Sequence, residues 1–375
     1  MKRALIFFLS VVMLWHVSAF FCCAESPLGV SAESAILMDA DSGCVLWEKN
    51  AHTRMGMAST TKIMTALTVL RLSSPEDTVS VSDAAIGTEG SSIYLCKGEK
   101  MTVEQLLYGL LLASANDAAV ALAIHCAGSV ETFSGHMNIV ADELGLKNTH
   151  FTNPHGLYDD DHYTTSYELA LITREALKDP LLAKIFSTYK ATIPFCQEAD
   201  KRLVVNHNKM LKSYEGAIGV KTGFTKKTGR CLVSGAERDG LTLICVTLNA
   251  PDDWRDHTAL LDYGYENYCR VTFAGVGEYS YSLPVVGGEG DTLTLTNSEP
   301  LAMTLPKSHG NASYTVTSNY RFAYAPTVTD KEYARLTVSY DGQTAESPLI
   351  ATYEIKRSYN KNLFQKIMDF FKKDK

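Results

Sequence analysis

The sequence predicts an α/β protein with more than one domain, and three observations support this prediction. Apolar segments with helical spacing alternate with short strand-like segments from residue 30 to about residue 272. Beyond residue 275 the apolar residues recur at every second position, which indicates an all-β module. The 375 residues suffice for both parts, since one domain usually takes roughly 100–200 residues. We therefore expect one domain at 30–272 and a β-rich domain at 275–356.

The composition excludes several classes of function. Hydrophobic residues make up 46% of the chain and charged residues 21%, which is an ordinary balance for a globular protein. The formal charge of −7 is not concentrated in any block, and the sequence has neither a basic stripe nor zinc-finger spacing. We therefore expect no nucleic-acid partner.

The N-terminus carries a targeting signal. Lys2 and Arg3 precede an apolar run at 4–21, which ends in small residues at 22–24. This pattern is typical of a secretory signal peptide, predicted here over 1–24, and it predicts an exported protein. An uncleaved membrane anchor is the alternative, although the run is barely long enough to span a bilayer.

The first third of the chain predicts a hairpin followed by buried helices. Two short apolar strands within 34–49 are joined by a turn rich in Asp, Ser and Gly. Residues 58–70 are apolar on most faces, as in a helix enclosed by a domain. Thr102 and Gln105 form a capping box for the next apolar helix, and a polar break at 114–117 separates it from another.

The middle of the chain predicts further helices and strands. The predicted helices lie at 167–177 and 254–268, and the predicted strands lie at 217–222, 230–235 and 241–249. The last two of these strands are joined by Glu237-Arg238-Asp239-Gly240, which is a strong hairpin turn.

The end of the chain has two further parts. Residues 275–356 alternate with period two, with Asp341-Gly342 as a hairpin turn, and we interpret this module as a spacer. Residues 357–375 place apolar side chains on one broad helical face, surrounded by lysines. A helix this short cannot span a bilayer, but it can lie on an anionic membrane surface. Docking of this helix on the protein itself is the alternative.

Nine cysteines are present, two of them in the predicted signal peptide. The other seven are widely and irregularly spaced, without CxxC or Cys/His pairs, so the sequence does not reveal their disulfide status. We interpret most of them as small hydrophobic core residues, and we predict no metal site and no cofactor.

A serine and a lysine three residues apart open the predicted helix at 58–70. Ser59 and Lys62 lie on one helical face, so hydroxyl and amine can touch. A serine hydroxyl is a poor nucleophile until a base takes its proton, and burial beside positive charge can lower a lysine pKa enough for that task. The same spacing recurs at Ser187 and Ser358, but only Ser59 opens a long apolar helix.

Ser114-Ala115-Asn116 lies in the break between two apolar helices. A polar loop there would project into a cleft, where Ser114 could relay a proton between Lys62 and a leaving amine. Asn116 could accept a hydrogen bond from Lys62 and bond a substrate amide. Helix capping is the alternative interpretation, since Ser and Asn are favoured at caps.

Lys221-Thr222-Gly223 ends an apolar strand introduced by Gly219. A glycine there lets the backbone of the strand approach a ligand closely. Lys221 and Thr222 offer a cation and a hydroxyl to a carboxylate. An ordinary strand end is the alternative interpretation.

Ser-x-x-Lys, Ser-x-Asn and Lys-Thr-Gly in this order are the signature set of penicillin-binding proteins and serine β-lactamases. With Asn153-Pro154-His155-Gly156-Leu157 and Gly219-Val220-Lys221-Thr222-Gly223 added, the sequence resembles the low-molecular-mass penicillin-binding proteins. These are serine-type D-alanyl-D-alanine carboxypeptidases of peptidase family S11, and the resemblance covers nearly the whole mature chain.

The resemblance implies a fold and a location. The fold is a β-lactamase/transpeptidase-like domain, in which helices flank a five-stranded antiparallel sheet and a helical subdomain lies beside it. The nucleophile would lie in the cleft between them, and a small all-β domain would follow. The location is the outer face of the bacterial cytoplasmic membrane or the cell wall.

The resemblance also implies a reaction on peptidoglycan stem peptides that end in D-Ala-D-Ala. Ser59 would attack the carbonyl between the two D-alanines, with Lys62 as general base, and Ser114 would protonate the departing D-alanine. Water would then hydrolyse the acyl-enzyme. β-Lactam antibiotics would acylate Ser59 as substrate mimics.

Further residues of this implied site would bind the substrate. The backbone N–H groups of Ser59 and Phe224 would hold the oxyanion. Lys221 and Thr222, with Gly223 beside them, would bind the terminal carboxylate, for which Arg255 is a further candidate.

Three other functions remain open on the sequence. A β-lactamase is the nearest, but Glu168-Leu169-Ala170-Leu171-Ile172 does not reproduce the deacylating Glu/Asn pattern of class A enzymes. A D,D-endopeptidase would use the same residues on cross-linked peptides. A non-catalytic penicillin-binding sensor is disfavoured because every motif residue is intact.

Overall fold

The computed structural model describes residues 28–310, 313–318 and 320–358, without the side chains of 197–200 and 314. The predicted signal peptide at 1–24 and all but the first two residues of 357–375 lie outside these ranges, so both stay predictions. Within the described ranges no helix has the length and apolar character needed to cross a membrane.

The five-stranded antiparallel sheet implied by the resemblance lies at the centre of the first part of the chain. Its order is β2-β1-β9-β8-β7, so that β7 is an edge strand. The strands of this part are β1 (Ser34–Asp39), β2 (Val45–Lys49), β3 (Thr78–Ser80), β4 (Lys100–Thr102), β5 (Lys190–Phe195), β6 (Gln197–Val205), β7 (Ala217–Thr225), β8 (Gly229–Arg238) and β9 (Leu241–Leu248).

Helices cover both faces of this sheet and form a cluster beside it. They are α1 (Lys62–Leu72), α2 (Val103–Leu112), α3 (Asn116–Ala127), α4 (Val130–Glu143), α5 (Ser166–Leu177), α6 (Pro180–Ser187), α7 (Met210–Ser213) and α8 (Asp253–Asn267). Helix α1 packs against α2, α3, α4 and α5, and every residue from 62 to 69 is buried, as the sequence predicted for an enclosed helix.

The alternation of side chains along β1 explains why both faces are covered. Ile36 and Met38 belong to the main hydrophobic core, whereas Leu37 points to the opposite face, where α8 packs. Gly264 of α8 lies there, and a Cβ on it would come within 2.9 Å of Leu37 and 2.5 Å of Leu243. The absent side chain lets the helix lie close to the sheet.

Local signals in the sequence placed several elements correctly. Thr102 and Gln105 form the predicted capping box, with Gln105 N–H donating to Thr102 Oγ1 over 3.2 Å. Asp239 and Gly240 both have positive φ, which the predicted β8–β9 hairpin turn requires. Helix α4 was missed because it buries few apolar residues, and the hairpin β5–β6 and α6 were missed as well.

The interpretation of the cysteines as core hydrophobes needs a correction. Cys231 and Cys245 are buried free thiols, but Cys96 and Cys196 form a disulfide across 100 residues of sequence. Only the fold brings the loop before β4 next to the β5–β6 hairpin, so irregular spacing could not reveal the pair. Cys44, Cys126 and Cys269 are half-buried free thiols.

The predicted all-β part has its own hydrophobic core, separate from that of the first part. A six-stranded sheet in the order β14-β16-β17-β12-β11-β15 and the pair β10-β13 enclose it. The strands are β10 (Tyr268–Ala274), β11 (Ser280–Val286), β12 (Thr292–Asn297), β13 (Leu301–Pro306), β14 (Ser313–Ser318), β15 (Ala323–Tyr324), β16 (Glu332–Tyr340) and β17 (Gln343–Ala351).

Candidate active site

Ser59 lies in a single 3-10 turn, Ala58–Thr61, immediately before α1. The backbone of this turn is crowded on two sides by glycines. A Cβ on Gly156 would lie 1.9 Å from the Ala58 carbonyl oxygen, and one on Gly223 would lie 3.0 Å from Ser59 N. The glycines therefore allow two other chain segments to approach the serine closely, and Ser59 itself is half-buried.

The side chain of Lys62 is completely buried and reaches three acceptors. Its Nζ lies 2.9 Å from Ser59 Oγ, 2.6 Å from Asn116 Oδ1 and 2.7 Å from the His155 carbonyl oxygen. An ammonium group donates to all three. A neutral amine would donate to Asn116 and His155 and accept the Ser59 O–H with its lone pair. Loss of one proton thus turns Lys62 into a base aimed at Ser59.

The environment of Lys62 favours the neutral amine. Burial lowers the pKa of Lys62 well below its ordinary value of 10.5, and the nearby charge of Lys221 lowers it further. The carboxylate of Asp117 opposes both effects. The structure therefore meets the condition that the sequence analysis set for a lysine base.

Asn116 is fixed by the loop that precedes β4. Its side-chain Nδ2 donates to the Glu89 carbonyl over 2.6 Å, and its backbone N–H donates to the Ser91 carbonyl over 2.7 Å. Gly90 lies between them, and a Cβ there would come within 2.6 Å of Asn116 Nδ2. These contacts orient Oδ1 toward Lys62, which is the first of the two roles predicted for Asn116.

Asp117 holds the same loop and was not predicted from the sequence. Its carboxylate is buried and accepts hydrogen bonds from Ser92 Oγ, Ile93 N and Leu95 N over 2.6–3.2 Å. The acidic residue next to Asn116 thus fixes the loop whose carbonyls hold Asn116. An Asp in the first turn of a helix is equally expected as a favourable charge at the helix N-terminus, so nothing in the sequence marked Asp117 as a residue of the site.

Ser114 and Lys221 form the second polar pair of the site. Ser114 has φ of 58° and is buried in the break between α2 and α3. The ammonium of Lys221, on β7, donates to Ser114 Oγ over 3.0 Å and to the Thr222 carbonyl over 2.9 Å. The partner of Ser114 in the structure is therefore Lys221, whereas the sequence analysis had suggested Lys62. Burial lowers the pKa of Lys221 to about 7.

The backbone of β7 presents a donor at the open edge of the sheet. Phe224 pairs with Arg230 of β8, and the Arg230 carbonyl accepts from Ala250 N, on the side of β8 away from β7. Phe224 and Arg230 are therefore a non-hydrogen-bonded pair, so Phe224 N–H points away from β8. This orientation is the one required of an oxyanion donor.

Thr222 and Arg255 differ in their placement. Thr222 is half-buried, and within the described residues its hydroxyl makes no hydrogen bond, so it remains available to a ligand. Arg255 lies in the first turn of α8, is 76% exposed, and forms an ion pair with Asp252 over 3.9 Å. This ion pair does not connect Arg255 with Lys221. The role of Arg255 in binding the terminal carboxylate therefore stays a prediction.

The segment 153–157 contributes a backbone group that sequence reasoning missed. The His155 carbonyl accepts from Lys62, and the Pro154 carbonyl accepts from Thr65 Oγ1 over 2.6 Å. Asn153 Oδ1 accepts from His155 N and Gly156 N, which fixes the turn. Asn-Pro before a glycine indicates a turn, but it does not identify a carbonyl as a ligand for lysine.

Glu168 is the glutamate that would have to activate the deacylating water if the protein were a class A β-lactamase. Its buried carboxylate accepts from Lys147 N, Asn148 N and Thr149 Oγ1, which holds the turn at 147–149. Among its recorded partners are neither Ser59 nor Lys62. The carboxylate thus stabilises the fold at 147–149.

The disulfide Cys96–Cys196 closes over a buried ion pair. Glu99 accepts from the backbone N–H groups of both cysteines and pairs with Arg202 over 3.1 Å. Cys96, Cys196 and Glu99 lie within 4.8 Å of one another, as metal ligands would, but both sulfurs are bonded to each other. This cluster anchors the far end of the loop that holds Asn116.

Removing this disulfide should lower stability. For Cys96→Ser/Cys196→Ser we expect the free energy of unfolding to fall by about 2–5 kcal/mol, because a crosslink over so long a loop restricts the unfolded chain. Urea unfolding with and without a thiol reductant measures this. Cys126→Ser, which removes a half-buried free thiol, serves as control and should keep the response to reductant. Equal stability of the oxidised parent and the double variant would contradict the prediction.

Comparisons with known proteins identify the family of the chain. The peptidase S11 family, described as D-alanyl-D-alanine carboxypeptidase, matches residues 22–252. The chain is 34% identical to D-alanyl-D-alanine carboxypeptidase DacF of Bacillus subtilis over 346 residues, covering 89% of this chain and 88% of that protein. It is 33% identical to D-alanyl-D-alanine carboxypeptidase DacA of Escherichia coli, covering 92% and 87%.

A solved structure is similar in fold as well. Penicillin-binding protein 5 of Haemophilus influenzae superimposes with a TM-score of 0.71 at 27% sequence identity. The match covers 88% of this chain and 98% of that one, so it extends over both the central sheet and the all-β part.

Proposed function

The chain belongs to the D-alanyl-D-alanine carboxypeptidase family and is a serine D-alanyl-D-alanine carboxypeptidase, and on this premise we propose how its residues act. One observation carries the proposal. Lys62 Nζ lies 2.9 Å from Ser59 Oγ, in a buried position where its pKa is lowered. Ser59 is the nucleophile and Lys62 is its general base.

Acylation begins when neutral Lys62 takes the proton of Ser59. The Ser59 oxygen attacks the carbonyl between the last two D-alanines of a peptidoglycan stem peptide. Asn116 and the His155 carbonyl accept the two remaining N–H groups, and they also stabilise the ammonium that forms. Because these acceptors are fixed beforehand, the proton transfer requires little rearrangement.

The oxyanion and the terminal carboxylate are held from β7. The N–H groups of Ser59 and Phe224 donate to the developing oxyanion. The Lys221 ammonium has three N–H donors. Two of them bond Ser114 Oγ and the Thr222 carbonyl, and the third is left for the carboxylate. The Thr222 hydroxyl donates to the same carboxylate. Gly223, which has no side chain, leaves room for the substrate beside Ser59. Arg255 would contribute a further positive charge from the exposed first turn of α8.

Ser114 completes the first half of the reaction. The Lys221 ammonium donates to Ser114 Oγ, which leaves the Ser114 O–H free to donate to the departing amine. The C–N bond breaks as D-alanine takes this proton. Because the hydrogen-bond partner of Ser114 is Lys221, the proton held by Lys62 returns to Ser114 through solvent. Water then attacks the acyl-enzyme with Lys62 again as base, and Ser59 recovers its proton. β-Lactams acylate Ser59 by the same first step.

The location follows from the targeting signal and the family. We propose export after cleavage near residue 24, and the disulfide supports this because such bonds persist in oxidising compartments. The domains would be 30–272 and 275–356. The two separate cores support two domains, with the boundary moved to about residue 268 because β10 (Tyr268–Ala274) pairs with β13 of the all-β part. We propose that 357–375 contacts the membrane surface as a basic amphipathic helix.

The mature chain should be assayed with a D-Ala-D-Ala tripeptide and with a labelled penicillin. Release of D-alanine, together with a long-lived penicillin adduct, supports the proposed mechanism. Rapid penicillin turnover without peptide cleavage would indicate a β-lactamase instead. An adduct without any D-alanine release would indicate a sensor, and cleavage of cross-linked peptides alone would indicate an endopeptidase.

The dependence of kcat/KM on pH should be bell-shaped. Activity is lost as the pH falls through the lowered pKa of Lys62, because the base must be neutral. It is lost on the alkaline side as Lys221, whose pKa lies near 7, gives up the charge that binds the carboxylate. Rates of D-alanine release over roughly pH 5 to 10 measure both limbs.

A lysine-to-arginine change separates the two limbs. Lys221→Arg keeps its charge at high pH, so the alkaline limb should move upward while the acid limb stays. A profile that is flat in the parent protein, or an alkaline limb that does not move in Lys221→Arg, would contradict the assignment.

A further inference from the structure

Large apolar side chains are exposed at one edge of the all-β part. Tyr324 is 70% exposed and Val328 54%, and Tyr320, Phe322 and Val286 are exposed beside them. We call these five residues the aromatic edge. Most of them line a cleft of about 460 Å³, together with Arg321 and Lys331. Aromatic residues crowded at one exposed edge indicate a surface for a partner.

The rings of the aromatic edge are held in place by the fold. Ala323 of β15 is buried, so Phe322 and Tyr324 on either side of it point outward, and their rings lie 5.1 Å apart, edge to face. The Lys331 ammonium lies 5.0 Å from the ring of Tyr320 and supports it by a cation–π contact. The edge is therefore organised before any partner binds.

The chain leaves the described structure at this edge. Val286 of β11 pairs with Tyr324 of β15. Gly287 and Gly288, which follow Val286, contact the last described residues: Ser358 N–H donates to the Gly287 carbonyl over 2.8 Å. The segment 359–375, which is rich in lysine and whose sequence predicts a helix with one apolar face, therefore follows directly on residues beside the aromatic edge.

We infer that the aromatic edge lies against the headgroup region of a lipid bilayer and forms a second membrane contact beside the C-terminal segment. This inference rests on the membrane contact proposed above for 357–375. Tyr and Phe side chains suit that depth, because an apolar ring enters the acyl boundary while a polar tip or flanking cation stays in water. The all-β part would then bind the membrane directly and support the catalytic part above it, whereas the sequence had predicted a passive spacer.

The two membrane contacts differ in net charge, and we therefore expect them to contribute differently to binding. The chain segments 286–291, 320–331 and 354–358 around the aromatic edge carry four basic and four acidic residues, which cancel. Residues 359–375 carry five lysines and two aspartates, a net of +3. The aromatic edge therefore contributes apolar affinity that salt does not weaken, and the C-terminal segment contributes the preference for anionic lipid.

Vesicle binding of the mature chain tests this division. Phe322→Ser/Tyr324→Ser should bind about tenfold or more weakly both to phosphatidylcholine vesicles and to vesicles that also contain phosphatidylglycerol, at low and high salt alike. Val276→Ser is the control. Val276 is 64% exposed in the same part, but it precedes the first residue of β11, whereas the aromatic edge lies at the last residue of this strand, Val286. It should bind like the parent protein. D-Alanine release from a soluble tripeptide confirms that the catalytic part of each variant is folded, and an unchanged circular dichroism spectrum and thermal melt confirm the same for the all-β part.

A chain truncated after Ser358 separates the two contacts. It should lose the preference for phosphatidylglycerol but keep weak, salt-insensitive binding, which Phe322→Ser/Tyr324→Ser then removes. If the double variant binds like the parent while truncation abolishes binding, the C-terminal contact stands and the aromatic edge is overturned. If truncation instead uncovers the edge, seen as new binding of a hydrophobic dye that the double variant removes, the segment covers the edge and the inference also fails.

Failure of the parent protein to bind either vesicle would overturn both membrane contacts together. The proposed chemistry at Ser59 would be untouched by that result, because its assay uses a soluble peptide.

Discussion

Ser59→Ala should abolish penicillin labelling and lower kcat/KM for a D-Ala-D-Ala tripeptide by about 10⁴-fold or more. The variant keeps the Lys62 amine, the oxyanion donors and the carboxylate site, but no atom remains to form the acyl-enzyme. Folding should be preserved, since the Ser59 hydroxyl is half-buried and its close hydrogen bond is the one from Lys62. Mass spectrometry of the penicillin-treated protein and a D-alanine assay measure the two effects.

The chain supplies a matched control for this prediction. Ser187 begins a second Ser-x-x-Lys sequence, but its hydroxyl only donates back to carbonyls of its own helix, at Ala183 and Lys184, and the residue is exposed. Ser187→Ala should therefore acylate and turn over like the parent protein. A penicillin adduct that persists in Ser59→Ala, or one that disappears in Ser187→Ala, would show that the nucleophile has been misassigned.

The side chains that carry the chemistry could be predicted because their spacing and their local structure agreed. Ser59 and Lys62 open an enclosed helix, and Lys221 lies on an edge strand, so each motif indicated its own environment. The strand was predicted to end at Lys221-Thr222-Gly223, but β7 continues to Thr225 because these residues go on pairing with β8. The hairpin turn at Asp239-Gly240 and the capping box at Thr102 were equally local, and they were predicted correctly for the same reason.

The groups that position those side chains could not be predicted, because they are backbone atoms or partners distant in sequence. The carbonyls of His155, Glu89 and Ser91 bond Lys62 and Asn116, yet any residue type supplies a carbonyl. Ser114 was expected to exchange a proton with Lys62. Only the position of β7 in the fold reveals that Lys221 is its hydrogen-bond partner. The Cys96–Cys196 pair depends in the same way on how the hairpin β5–β6 packs.

Lys62→Met should slow acylation of Ser59 by about 10³–10⁴-fold while leaving the protein folded. Methionine fills a similar volume without a base, and it removes an amine whose charged form is penalised by burial. Two acceptors, the buried Asn116 Oδ1 and the half-buried His155 carbonyl, lose their donor, which offsets this gain by up to about 1–3 kcal/mol each. Stopped-flow measurement of labelled-penicillin acylation, together with a thermal melt, checks both parts.

The pH dependence of the slow residual reaction distinguishes a lost base from a lost structural cation. Without Lys62 hydroxide acts as the base, so the residual rate should show no acid limb set by Lys62 and should rise about tenfold per pH unit until Lys221 loses its charge near pH 7. Lys62→Arg provides the control, because a guanidinium keeps the positive charge but cannot deprotonate in this range. If charge alone mattered, Lys62→Arg would acylate nearly as fast as the parent protein. Because the amine must be neutral to accept the Ser59 proton, we expect Lys62→Arg to be as slow as Lys62→Met.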